Sequence, residues 1–177
     1  MSSQLKEMLR VDHAGEYGAV RIYDGQVAVF KGRPDKQHLV DMISHMAEQE
    51  QTHLKKFDEL LVEHDVRPTA LAPLWNIAGF ALGATTALMG ERAAMACTAA
   101  VEEVIDAHYA EQIKDLESSS RHNKSEIIDT IKAFREDEIA HRDTALENGA
   151  EQAPAYPLLR AAIRFGCHTA IKISQKI

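Results

Sequence analysis

Residues 133–146 read AFREDEIAHRDTAL. Within them Glu138 and His141 stand three positions apart, a spacing that puts both side chains on one face of a helix. Residues 46–57, MAEQEQTHLKKF, repeat it with Glu50 and His53. The spacing alone carries little weight. Sixteen Glu and 9 His in 177 residues give about 0.8 such pairs by chance, the false-positive risk of any short motif.

The surroundings supply the weight. Ile43, Met46, Glu50, His53 and Phe57 share one stripe at three- and four-residue steps, as do Ile131, Phe134, Glu138, His141 and Ala145. Glu16 falls on a third apolar stripe with Val20, Tyr23 and Val27. Each acid therefore sits inside a face that a helix would bury, and a buried charge needs a partner or a metal. Glu48 and Glu136 fall on polar stripes and read as solvated.

Bundles that hold two metal ions take one glutamate from each of two helices and Glu-x-x-His from each of the other two. Glu16 precedes Glu50 by 34 residues and Glu102 precedes Glu138 by 36, so each half of the chain sets a single Glu one helix upstream of its pair. In the second half, phase leaves two candidates. Glu102 shares its phase with Met95, Thr98, Ile105 and Tyr109, and Glu103 with Asp106, Ala110 and Lys114; Glu102 is preferred and Glu103 stays open. The competing structural reading, a plain bundle with Glu–His ion pairs in its core, needs four Glu and two His to fall into matching register without cause. Carboxylate and imidazole ligands suit iron or manganese, and the expectation is a dinuclear iron site.

Helical periodicity dominates and strand alternation is nearly absent, so the fold class is all-α. Helices are expected over about 4–30, 36–64, 74–116 (bent at Gly90) and from about Asn123, whose spacing to Glu126 resembles a capping box. Gly149, Pro154 and Pro157 end the fourth helix, and a fifth closes the chain over about 157–177. The chain reads as a single domain, 1–177, a four-helix bundle of two half-repeats, about 4–64 and 74–148, with the extra C-terminal helix. Two cysteines, Cys97 and Cys167, form no C-x-x-C and read as idle thiols. The N-terminus MSSQLKEMLRVDHAGE has neither the apolar core of a signal peptide nor the composition of a transit peptide, which predicts a cytoplasmic protein.

All 27 acidic residues lie at or before Glu151, so residues 1–151 carry −11 against 16 basic residues, and 152–177 carry +4. The acidic body excludes a nucleic-acid partner. From Pro68 to Gly90 no residue is charged. That length would span a bilayer, but the prolines, glycines and paired threonines favour an apolar wall that lies against one leaflet, with Gly79 and Gly83 set for close helix approach. Arg160, Arg164, His168, Lys172 and Lys176 form a basic ridge on the last helix, which reads as a membrane-surface or partner-docking element.

The stretches LRVDHAGEYGAVRIYDGQ (9–26), LKKFDELL (54–61), VRPTALAPLWNIAGFALGATTALMG (66–90), AMACTAAVEEVIDAHYAEQI (94–113) and APAYPLLRAAI (153–163) resemble the demethoxyubiquinone hydroxylase family of ubiquinone biosynthesis, ferritin-like di-iron carboxylate proteins. The resemblance runs from about Leu9 to the C-terminus. It implies that Glu16, Glu50, His53, Glu102, Glu138 and His141 ligate two iron ions, favouring Glu102 over Glu103. It implies a monooxygenase that uses O2 to hydroxylate the ring of a polyprenylated demethoxy-benzoquinol, with electrons derived from NADH. Tyr109 and His108 match family positions near the site; His13, and more weakly Asp137 and Asp106, are further candidates to support the ligands. The link over 30–46 is longer than the family pattern. Peripheral attachment to the cytoplasmic face of a bacterial inner membrane, or to the matrix side of the mitochondrial inner membrane, follows, as do partners among other ubiquinone-biosynthesis proteins; a homo-oligomer stays open. The alternatives are a ferritin-like ferroxidase storing iron and another di-iron hydroxylase of a lipid. A rubrerythrin-like peroxidase would carry a cysteine-bound iron that this chain lacks.

Overall fold

The computed structural model describes residues 3–118 and 125–176. Among them there are six α-helices and no strand: α1 Ser3–Phe30, α2 Gln37–Glu63, α3 Ala72–Leu88, α4 Glu91–Ser118, α5 Ser125–Glu147 and α6 Tyr156–Ser174. The molecule is an all-α bundle, as the periodicity predicts. The capping box at Asn123 falls outside the described residues.

Helices α1, α2, α4 and α5 carry the apolar stripes, and each buries residues on both sides of its acids. One core cluster joins Phe30, Leu39, Ile43, Met46, Met95 and Ala145. The other joins Leu9, Phe57, Leu60, Ile113 and Ile131. Glu16, Glu50, Glu102 and Glu138 lie midway along their helices, between the two clusters. The stripes of α2 and α5 are buried as expected except at Phe134, which is half-buried, and Glu48 and Glu136 are exposed.

One expectation about element boundaries is corrected. The stretch 74–116 is two helices, because Gly90 takes φ +117, a conformation that costs glycine little and other residues much. Gly90 ends α3 by donating its N–H to the Ala87 carbonyl, and its own carbonyl accepts from Ala93 and Ala94 to start α4. α2 begins at Gln37, next to the expected start at about 36, so within the stretch 30–46 the break between helices ends at Lys36.

The uncharged segment thereby becomes a separate outer helix. α3 lies on α1 at backbone contact: a Cβ on Gly83 would collide with the Ile22 carbonyl oxygen, and one on Gly79 would come to 2.9 Å from the Gly18 oxygen. Asn76 Nδ2 donates to Tyr17 Oη at 2.5 Å, and Trp75 Nε1 donates to Ser174 Oγ at 3.1 Å, tying α3 to the end of α6. Leu74, Ile77 and Leu88 of α3, with Leu158 and Phe165 of α6, stay largely exposed. Among the described residues no helix is long and apolar enough to cross a membrane.

The basic ridge of α6 is only partly free. Arg160 Nε and Nη2 donate to the two oxygens of Glu103 at 2.8 and 2.5 Å, and Arg164 Nη1 joins them. Partial burial pushes the Glu103 carboxyl up, but Arg160 and Arg164 hold it below the usual carboxylate range. Glu103 is thus the anchor of α6, a role that its phase on the charged side of α4 permits. Cys97 and Cys167 are free, and burial pushes their thiols up to about 12 and about 11, consistent with inert packing.

Gly83→Ala is expected to cost at least about 2 kcal/mol, because overpacking against rigid backbone cannot relax. Gly166→Ala, whose added Cβ meets nothing, is expected to be neutral or to gain up to about 1 kcal/mol of helix propensity. Urea unfolding of both variants measures the difference; equal stabilities would mean that α3 does not pack on α1 in this register.

Candidate metal centre

Each of the four inner helices delivers one glutamate to the middle of the bundle, and α2 and α5 add a histidine one turn later. Glu16, Glu50, His53, Glu102, Glu138 and His141 are each no more than 2 % exposed. Their ligand atoms form two groups, Glu16, Glu50, His53 and Glu138, and Glu50, Glu102, Glu138 and His141, each with its atoms within 4.8 Å of one another. Glu50 and Glu138 belong to both. Glu103 belongs to neither.

The hydrogen-bond pattern separates the two kinds of carboxylate. Tyr23 Oη donates to Glu102 Oε1 at 2.6 Å, and Tyr109 Oη donates to Glu16 Oε1. Each of these glutamates keeps one bare oxygen, Oε2, whereas Glu50 and Glu138 keep both bare. Nδ1 of His53 and of His141 is bare as well. His53 Nδ1 lies 3.2 Å from Glu138 Oε1 and 3.6 Å from Glu16 Oε2, and His141 Nδ1 lies 3.1 Å from Glu50 Oε1. These are approaches between charges, outside hydrogen-bond geometry. Eight oxygen and nitrogen donors thus converge with no partner among them.

The outer nitrogens of both imidazoles are engaged. Asp137 Oδ2 accepts from His53 Nε2 at 3.0 Å, and Gln49 Oε1 accepts from His141 Nε2 at 3.2 Å. Since both partners accept, each ring carries a proton on Nε2, and it is Nδ1 that faces the centre. Phe134 stacks on His53 with centroids 3.9 Å apart.

The electrostatics are those of a site short of positive charge. Burial, then the neighbouring carboxylates, push Glu50 and Glu102 well above the usual range. Burial opposes charging of His53 and His141, but the glutamates around them raise both. Burial likewise raises Glu138, yet His141 and His53 pull it down to about 2. Four buried carboxylates without cations would cost several kcal/mol per ion. Two divalent cations would neutralise them, and the oxygen and imidazole donors suit iron or manganese. The residues fit a dinuclear metal centre.

The supporting candidates divide. Tyr109 touches Glu16 directly. His108 lies 2.9 Å from Gln112 Nε2, which in turn donates to buried Asp12 at 2.7 Å. His13 turns away to Asp58 of α2 at 2.9 Å. Asp106 takes Arg135 and Arg142, tying α4 to α5, while Asp137 is in contact with a ligand candidate, contrary to its low ranking. Sequence reasoning missed Tyr23 and Gln49 as supports. The signal was there: each tyrosine stands seven residues after a single Glu, and Gln49 and Asp137 each precede the Glu of a pair. Beside this network lies a cavity of about 480 Å³ lined by Met8, Val11, His108, Gln112, His168 and Lys172, among others.

A family model described as ubiquinone biosynthesis protein COQ7 matches residues 3–174. The chain belongs to this family. It is 54 % identical over 170 residues to a Rattus norvegicus protein named NADPH-dependent 3-demethoxyubiquinone 3-hydroxylase, mitochondrial, covering 96 % of this chain and 76 % of that one. A Homo sapiens protein of the same name is 51 % identical with the same coverage. A Rhodospirillum rubrum protein named 3-demethoxyubiquinol 3-hydroxylase is 50 % identical over 173 residues, covering 98 % and 78 %. The resemblance on which the expected ligand set rests is thus to the right family.

Metal binding is expected to stabilise the fold, because the cations would bind the folded state and not the unfolded chain. At a free ion concentration of 100 Kd the gain for one site is about 2.7 kcal/mol, or roughly 5–10 °C in Tm for a chain of this size. Melting the chelator-treated protein with and without anaerobic Fe(II) or Mn(II) checks it; an unchanged Tm would count against the centre.

Proposed function

We propose that this chain is a di-iron monooxygenase that hydroxylates the ring of a polyprenylated demethoxy-benzoquinol in ubiquinone biosynthesis. The observation that carries the metal half is the set of eight buried, unpartnered donor atoms on six residues from four helices. The names of the hydroxylase relatives support the substrate half. The same pattern supports one domain of two half-repeats, since the tyrosine and the residue before the paired Glu recur at equal spacing.

In this reading Glu16, Glu50, His53 and Glu138 would hold one iron ion and Glu50, Glu102, Glu138 and His141 the other, with Glu50 and Glu138 serving both. Two iron ions so held would supply the activation of O2, one oxygen atom going to the ring and the other to water, with electrons drawn from a reduced nicotinamide. The resemblance implies NADH as the source, and the names of the mitochondrial relatives give NADPH.

The chain's own residues have separate tasks. Tyr23 and Tyr109 fix the carboxylates of Glu102 and Glu16 so that one oxygen of each faces inward. Burial lifts both phenols well above their usual range, and the nearest carboxylates, Glu102 and Glu16, add to it, so each stays a proton donor to its glutamate. Phe57, Phe134 and the two apolar clusters exclude water. The exposed apolar residues of α3 and α6 would lie in one leaflet, from which a prenylated substrate arrives.

Anaerobic titration with Fe(II) followed by air is expected to retain about two iron atoms per chain, and the loaded protein with a nicotinamide reductant should convert a demethoxyquinol to its hydroxylated product. Glu50→Ala is expected to lower iron retention and abolish turnover. Uptake far beyond two with a growing mineral absorbance would replace this reading with iron storage.

Leu158→Glu with Phe165→Glu is expected to weaken co-sedimentation with anionic vesicles at least tenfold, since each buried side chain of this size is worth about 1.5–3 kcal/mol. Both are exposed, so Tm should hold. Unchanged co-sedimentation would remove α6 as the membrane contact.

A further inference from the structure

The two groups of ligand atoms match in every donor: a glutamate held by a tyrosine, two shared glutamates and one histidine Nδ1. They differ in what holds the histidine. His53 Nε2 donates to a carboxylate, Asp137 Oδ2, at 3.0 Å, and His141 Nε2 to an amide, Gln49 Oε1, at 3.2 Å. Gln49 Nε2 donates to the other oxygen of Asp137 at 3.2 Å. The four side chains form one hydrogen-bonded chain, His53–Asp137–Gln49–His141, whose single anion sits at the His53 end.

The asymmetry has a chemical consequence. A hydrogen bond from an imidazole to an ionised acceptor is roughly twice as strong as one to a neutral acceptor, and it raises the basicity of the ligating nitrogen. The amide bond from Gln49 fixes the orientation of its oxygen, so His141 is held in place but gains less electron density. Asp137 is 41 % exposed, which moderates its effect through solvent and also makes the position tolerant of substitution.

We infer that the two metal positions are inequivalent, and that Asp137 makes the Glu16–His53 position the tighter, first-filled one. This rests on the dinuclear reading above. Asp137 and Gln49 act as positioning residues: neither reaches the metal, and each sets the strength of the histidine that does.

Stepwise titration of the metal-free chain with Co(II), followed by calorimetry and visible absorption, tests it. Two resolved steps of one ion each are expected, the first at least tenfold tighter. Asp137→Asn keeps the shape and removes the charge; it is expected to weaken the first step about 10–100-fold and to merge the two. Gln49→Ala leaves the carboxylate on His53 and is expected to weaken the second step, widening the gap. A merely structural role would move both steps together. Nitrogen-15 imidazole spectra during a Zn(II) titration assign the order: His53 Nδ1 should shift in the first equivalent and His141 Nδ1 in the second. A single unresolved step, equal weakening of both steps by Asp137→Asn, or a first ion at His141 would overturn the inference. Binding of no ion by a chain that keeps its helical circular dichroism would instead remove the dinuclear reading itself.

Discussion

Four carboxylates and two imidazoles share the dry centre of this bundle, and their inward atoms have nothing in the protein to bind. Water cannot reach them, and mutual repulsion among Glu16, Glu50, Glu102 and Glu138 opposes the packing that the apolar stripes drive. Much else in the molecule answers to that constraint. The two apolar clusters stand on either side and supply the burial that closes the bundle over the charge. The tyrosines take one oxygen from each of two glutamates and leave the rest of the set bare. Cations bound there would relieve that repulsion, which would link the stability of the fold to the chemistry proposed for it.

The supports cross between the halves of the chain. Tyr23 of α1 holds Glu102 of α4, and Tyr109 of α4 holds Glu16 of α1. Asp137 of α5 holds His53 of α2, and Gln49 of α2 holds His141 of α5. Neither half can orient its own ligands. The centre therefore forms only when both halves dock, and the geometry of each ligand is fixed by an element distant in sequence. Where the crossed pairs match, the two positions are alike; where carboxylate faces amide, they part.

Helices α3 and α6 stand outside this core. α3 holds to α1 by backbone contact at Gly79 and Gly83, so its apolar side chains are left for the exterior. α6 holds to α4 through Glu103 and two arginines, which consumes half of a basic ridge that the sequence offers to an anionic surface. The remaining cations, Lys172 and Lys176, lie toward the end of α6, while Leu158 and Phe165 project from its outer side. Charge binds this helix to the body, and apolar surface is what it offers outward.

The sequence by itself determined the helices, the buried stripes and the acids within them, because a period of 3.6 residues is a local property and a glutamate on an apolar face is conspicuous. It also carried the family, through DHAGEYGA and PLWN. It did not decide between Glu102 and Glu103, since neighbouring positions differ by only 100° around a helix and both faces of α4 are covered; docking of Arg160 and Arg164 assigned Glu103 to α6. It did not show the break at Gly90, because a glycine inside an apolar run fits a bent helix as well as two helices. The crossed supports, Tyr23, Gln49 and Asp137, are ordinary residues until α1 meets α4 and α2 meets α5. Which oxygen stays bare and which histidine faces an anion are properties of pairs far apart in the chain, and only the tertiary structure sets them.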